Sequence, residues 1–140
     1  MAVLTSDTFE FVLANELKRA LRSQNFVTLV LLEPRGERSA EDRRNIASLI
    51  NPELRETDLL AVGDTAVSMV LLDADMQNSM RVIDRVLVRL EHYQFGQPLE
   101  IEVGAACCPT HGADVETLRR AAAQARTAVA RRTPRGTAQA

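Results

Sequence analysis

The sequence predicts an α+β domain: a ferredoxin-like βαββαβ core with an extra helix at each end. Three observations carry this. Apolar residues recur at helical spacing in some segments, and as short β-branched or alternating runs in others. Laid end to end, these segments read α-β-α-β-β-α-β-α. The short stretch Gly63, Asp64 and Thr65 separates two apolar runs, so the central strand pair is an antiparallel hairpin. A chain of 140 residues with 46% hydrophobic and 26% charged residues is long enough for one domain with a buried core. The expected domain spans residues 1–132, and the Pro/Gly/Ala-rich stretch 133–140 reads as a frayed tail.

Residues 6–24 are expected to be helical. Ser6 or Asp7 can cap the segment, and Phe9, Leu13, Leu17 and Leu21 recur every four residues. Residues 25–34 form a near-continuous aliphatic run stopped at Pro34, the pattern of a central strand buried on both faces. A polar loop follows. Ser39 then caps a helix with Ile46, Leu49 and Ile50 on its apolar side and Pro52 just beyond it. Strands at 57–62 and 66–73 flank the turn. The helix at 73–93 has an apolar stripe of Met80, Ile83, Leu87 and Leu90, while Arg81, Arg85 and Arg89 line another face. In the strand at 99–107, Ile101 and Val103 alternate with Glu100 and Glu102. Asp114 caps a last helix reaching 132, with Val115, Leu118, Ala122, Ala125 and Val129 turned inward.

Composition narrows the function classes. A net charge of −2 and a pI near 5.7 argue against a binder of nucleic-acid polymers. Only 4% of residues are aromatic and Trp is absent, so stacking platforms for single strands are scarce. Lys18 is the only lysine; the remaining basic side chains are arginines, which suit bidentate recognition of phosphate and guanine. Cys107 and Cys108 are adjacent, which is no disulfide framework. With His111 they give poor zinc spacing, so no metal and no cofactor are expected. No apolar run is long enough to span a membrane, and the N-terminus lacks a signal-peptide pattern, so a cytoplasmic location without membrane insertion is expected.

The stretch "RETDLLA" before the hairpin, the helix "RVIDRVLVRL", the strand "IEVGAA" and the closing "DVETLRRAAAQARTAVARR" resemble the GGDEF family, the diguanylate cyclase domains that condense two GTP into cyclic di-GMP. The resemblance runs from about Phe9 to Arg132 and is clearest from Leu54 onward. It implies a core of GGDEF, or nucleotide-cyclase, type. The residues that the family uses for chemistry are replaced. Its Gly-Gly-Asp/Glu-Glu-Phe turn is spanned here by residues 63–68, with Asp64 and Thr65 at the glycine positions. The metal-binding Asp that ends the family's first strand corresponds to Glu33 before Pro34. The phosphate-binding lysine of the last helix falls near Val129. By this comparison the chain is a degenerate GGDEF-like domain, not an enzyme, with no catalytic residues and no metal site.

The resemblance also implies a binding site. In many of these cyclases an Arg-x-x-Asp lies five residues before the glycine turn and binds the product, cyclic di-GMP, at an inhibitory site helped by an arginine on the next helix. Arg55 and Asp58 stand at that position, Arg85 matches the helix arginine, and Arg81 is a possible helper. A guanidinium offers paired donors to phosphate or to the guanine O6/N7 edge, and a carboxylate accepts from guanine N1–H and N2. An isolated Arg-x-x-Asp is weak evidence, since Arg81 and Asp84 form a second match that reads as a helical ion pair. Arg55 and Asp58 also read as an exposed pair where a strand begins.

Two functions are therefore expected. One is a cyclic di-GMP receptor that signals to an unidentified protein partner. The alternative is a nucleotide-independent interaction or homodimerisation module that offers the hairpin at 61–70, with Ala66 and Val67 near its tip, or the N-terminal helix.

Overall fold

The computed structural model describes residues 3–36, 39–93 and 99–128. The Thr5 hydroxyl accepts the Thr8 N–H and so caps the first helix, α1 (Ser6–Ser23), one residue earlier than expected. Phe9, Leu13 and Leu17 are buried as expected. The fourth inward residue is Ala20, and Leu21 is exposed, because a period of about 3.6 drifts away from a strict spacing of four. Gln24 ends the helix in the left-handed region, with φ at 58°.

The chain continues through β1 (Val27–Pro34), α2 (Ala40–Ile50), a 3-10 turn (Asn51–Glu53), β2 (Leu59–Val62) and β3 (Val67–Leu72). It then forms α3 (Met76–Glu91), β4 (Ile101–Cys108), α4 (Val115–Gln124) and the two-residue β5 (Thr127–Ala128). Ser39, Asp75 and Asp114 each cap the helix that follows, accepting the backbone N–H of Asp42, Asn78 and Thr117. The strand order is β2-β3-β1-β4-β5, antiparallel throughout. β1 is central: Leu29 lies opposite Val70 on one side and Ala106 on the other.

Both faces of the sheet are covered, which is why β1 is apolar throughout. Val30, Leu32, Met69 and Leu71 pack under Ile46 and Ile50 of α2 and Ile83, Val86 and Leu90 of α3. Leu29, Leu31, Val70 and Ala106 pack under Phe9, Leu13 and Leu17 of α1 and Leu118 and Ala122 of α4. The terminal helices thus build the second layer. Met80, expected on the inward stripe of α3, is exposed; Ser79 and Val86 complete that stripe.

The last helix is shorter than its periodicity suggests. It ends at Gln124, and Thr127 and Ala128 pair with Val103 and Glu102, giving the free edge of β4 a partner. Ala125 is exposed, while Val129 and the tail at 133–140 lie outside the described residues. At the other edge the Leu4 N–H donates to the Leu60 carbonyl at 2.8 Å, so residues ahead of α1 cover β2. Gly104 is required by packing, because a β-carbon there would collide with the Ala122 carbonyl oxygen of α4.

Candidate functional site

Residues 55–58 form a tight turn before β2, closed by the Asp58 N–H donating to the Arg55 carbonyl at 3.0 Å. The Asp58 side chain points inward and is only 3% exposed as a residue. Its Oδ2 accepts the Arg55 N–H at 2.9 Å, and its Oδ1 accepts the Leu72 N–H at 3.1 Å. One carboxylate therefore joins the approach to β2 to the end of β3. The expectation of an exposed pair is corrected for Asp58: the buried Leu72 N–H needs an acceptor, and the carboxylate that supplies it also takes the part-buried Arg55 N–H.

Arg55 lies over this turn. Its Nη2 donates to the Leu72 carbonyl and sits 3.6 Å from Asp58 Oδ1, yet 61% of the side chain remains exposed. Arg85 approaches from α3. Its Nε donates to Glu53 Oε1 at 3.0 Å, and Arg89, one turn further on, donates from Nη1 to Glu53 Oε2 at 3.2 Å. Glu53 precedes Arg55 by two residues, so the segment that leads into the turn at 55–58 is tied to α3 through Arg85 and Arg89. Arg81 is exposed one turn toward the start of α3 and lies outside this network. It makes no ion pair with Asp84 among the described residues, although the spacing suggested one. Arg89 belongs to the arginine stripe that the sequence shows, but nothing local marks Glu53 as its partner, because their contact joins positions 36 residues apart.

A cleft of about 580 Å³ is lined by Glu33, Pro34, Gly36, Ser39, Arg43, Asp64 and Thr65. It lies between the end of β1, the start of α2 and the hairpin turn. Arg43 Nε donates to the Gly63 carbonyl at 3.0 Å, tying α2 to that turn. Glu33 is ion-paired with Arg126, which follows α4. Cyclase chemistry in the resembled family implies divalent metal. Here the carboxylate at the strand end is held by a guanidinium, and no group of three or more His, Cys, Asp or Glu among the described residues is placed to hold a metal ion. Val67, expected near an exposed tip, is fully buried in the core under α2 and α3, so the hairpin offers less apolar surface than its sequence suggests.

Cys107 and Cys108 are buried free thiols at the end of β4. Burial pushes both thiols up from their ordinary value, and the neighbouring Cys107 adds to the effect at Cys108. His111 Nδ1 accepts the Cys107 N–H at 2.9 Å, so the histidine closes a turn.

Neither a family model nor a curated protein sequence matches the chain. Solved structures do. The GGDEF domain of YfiN from Pseudomonas aeruginosa superposes with a TM-score of 0.75 at 21% identity, over 88% of this chain and 81% of that one. The GGDEF domain of DgcB from Caulobacter crescentus, solved in complex with cyclic di-GMP, gives 0.73 at 14% identity, over 86% and 80%. The active GGEEF domain of a diguanylate cyclase from Vibrio cholerae gives 0.77 at 12% identity, over 88% of each chain. The chain has the GGDEF-domain fold. These likenesses also correct the expectation that it is not an enzyme: its structural neighbours are diguanylate cyclase domains, one of them described as active. The cleft beside the hairpin turn is present, and replaced turn residues on a fold that carries catalysis in its neighbours are no ground for excluding it here.

Proposed function

We propose that this domain is a receptor for cyclic di-GMP, binding it over the turn at 55–58 and the adjacent face of α3. One observation supports the reading: Arg85 pairs with Glu53, which stands two residues before Arg55 in the chain, while Arg55 donates to the Leu72 carbonyl with most of its side chain open. Arg55 supplies a guanidinium whose side chain is 61% exposed, suited to a guanine edge or a phosphate. Arg85 supplies the second, and Arg81 extends the positive face for a ligand carrying two phosphates. Asp58 holds Arg55 in place through its backbone and side chain. Occupancy would be passed to a protein partner in the cytoplasm. No helix among the described residues is long and apolar enough to cross a membrane.

Calorimetric titration with cyclic di-GMP tests this. Binding in the micromolar range is expected, and Arg55→Ala should weaken it about ten- to a hundredfold, the value of one or two hydrogen bonds from a charged group. Absence of heat at tens of micromolar ligand would sink the reading.

A second reading, a docking or dimerisation module, draws on Phe11, which is 68% exposed on the outer side of α1. Light scattering decides it: a monomer whose mass is unchanged by Phe11→Glu excludes self-association through α1.

A further inference from the structure

We infer that Glu53 is an internal anion that competes for the guanidinium groups of the α3 face, and that Arg89 belongs with Arg85 to the anion-binding group it controls. The inference rests on the binding reading above and adds its regulation. Glu53 is held more completely than either partner. Its side chain is 20% exposed, against 53% for Arg85 and 44% for Arg89, and each oxygen takes one arginine. The Glu53 carbonyl also lies 3.5 Å from Arg85 Nη2, so backbone and side chain both address the same guanidinium.

A carboxylate that takes one donor from each of two arginines occupies the place that two oxygens of a phosphate would take. An incoming phosphate must therefore displace Glu53 or share its donors. The exchange is feasible because exposed ion pairs are weak, whereas a phosphate accepts through more oxygens. Its consequence is selectivity. A ligand with a single carboxylate only replaces like with like, while a phosphodiester anchored independently at Arg55 recovers what it displaces. Position matters as well. Glu53 ends the 3-10 turn, two residues before Arg55, so the competing carboxylate and the binding turn are neighbours in the chain.

Two measurements separate this inference from the reading on which it rests. In the first, cyclic di-GMP is titrated into the wild-type protein, Glu53→Gln and Arg89→Ala. The glutamine keeps the size and one accepting oxygen but removes the competing charge. About fivefold tighter binding by Glu53→Gln and weaker binding by Arg89→Ala are expected. Equal or weaker binding by Glu53→Gln overturns the competition while leaving the receptor reading intact. In the second, inorganic phosphate is titrated while the Arg85 and Arg89 Nε–H resonances are followed by NMR in wild type and Glu53→Gln. The signals should move at several-fold lower phosphate in the variant. That result sustains the competition even if cyclic di-GMP binds neither protein and the receptor reading falls. Identical phosphate responses overturn it whatever cyclic di-GMP does.

Discussion

Replacing Asp58 with alanine removes an acceptor from two backbone donors at once. The Leu72 N–H, at the end of a fully buried strand, and the Arg55 N–H both lose their partner, and water cannot take its place without opening the junction of β2 and β3. A hydrogen bond to a charged group contributes about 1.5–3 kcal/mol, and a stranded buried donor costs about 1–3 kcal/mol. The two effects overlap, and the Arg55 side is partly open to solvent, so a loss of about 3 kcal/mol is expected for the pair. At this chain length that is a fall in Tm of roughly 10 °C. Asp58→Asn should lose less, because the amide oxygen still accepts one N–H while its NH2 faces the other donor. The assay is equilibrium urea unfolding followed by circular dichroism, with unchanged slope and shifted midpoint. A loss below about 1 kcal/mol for Asp58→Ala, within the range of an exposed ion pair, would refute the account of Asp58 as the tie between the strands.

Further expectations concern the core and the helix caps. Gly104→Ala should destabilise the protein by about 2–3 kcal/mol or prevent folding, because the added methyl meets the α4 backbone; chemical denaturation measures it. Ser79→Ala should stabilise it by about 1 kcal/mol in the same assay, since the Ser79 hydroxyl is buried without a hydrogen-bond partner and alanine is the better helix former. Hydrogen bonds from the Thr117 backbone and hydroxyl hold the Asp114 carboxyl below its usual 3.8. A depressed folded value means that the stabilising contribution is present above the unfolded value and is lost as pH falls through the folded one. Asp114→Asn should therefore flatten the acid limb of the stability profile below about pH 4. Cys107 and Cys108 should resist alkylation at pH 8 in the native protein and react in urea, as buried thiols raised in pKa do.

Much of this architecture was legible in the sequence because period and punctuation agree. The run at 25–34 reads as a strand buried on both faces, and it is central, with a helical layer on each side. The expected caps Ser39 and Asp114 hold their helices. The end of α4 was not legible: the alanine-rich pattern favours continuing the helix, but pairing with the free edge of β4 takes Thr127 and Ala128. Site geometry was harder to read. An Arg-x-x-Asp gives no sign that its carboxylate turns inward, since the demand comes from the Leu72 N–H on another strand. The arginine stripe on α3 was visible, but the Glu53 that organises Arg85 and Arg89 is set by a long-range contact that leaves no periodic trace. The same holds for Arg126, whose pairing with Glu33 joins the end of β1 to the segment after α4.

The receptor reading is tested most directly by following every backbone amide as cyclic di-GMP is added to the full chain. The amides of Arg55, Asp58 and Leu72 and the Nε–H signals of Arg85 and Arg89 should shift together along one saturating curve, and Arg55→Ala should abolish or sharply weaken that response. Asp64 and Thr65, which line the cleft by the hairpin turn, should move little. Saturating shifts at Asp64, Thr65 and Ser39 with none around Arg55 would place the ligand in the cleft and contradict the account.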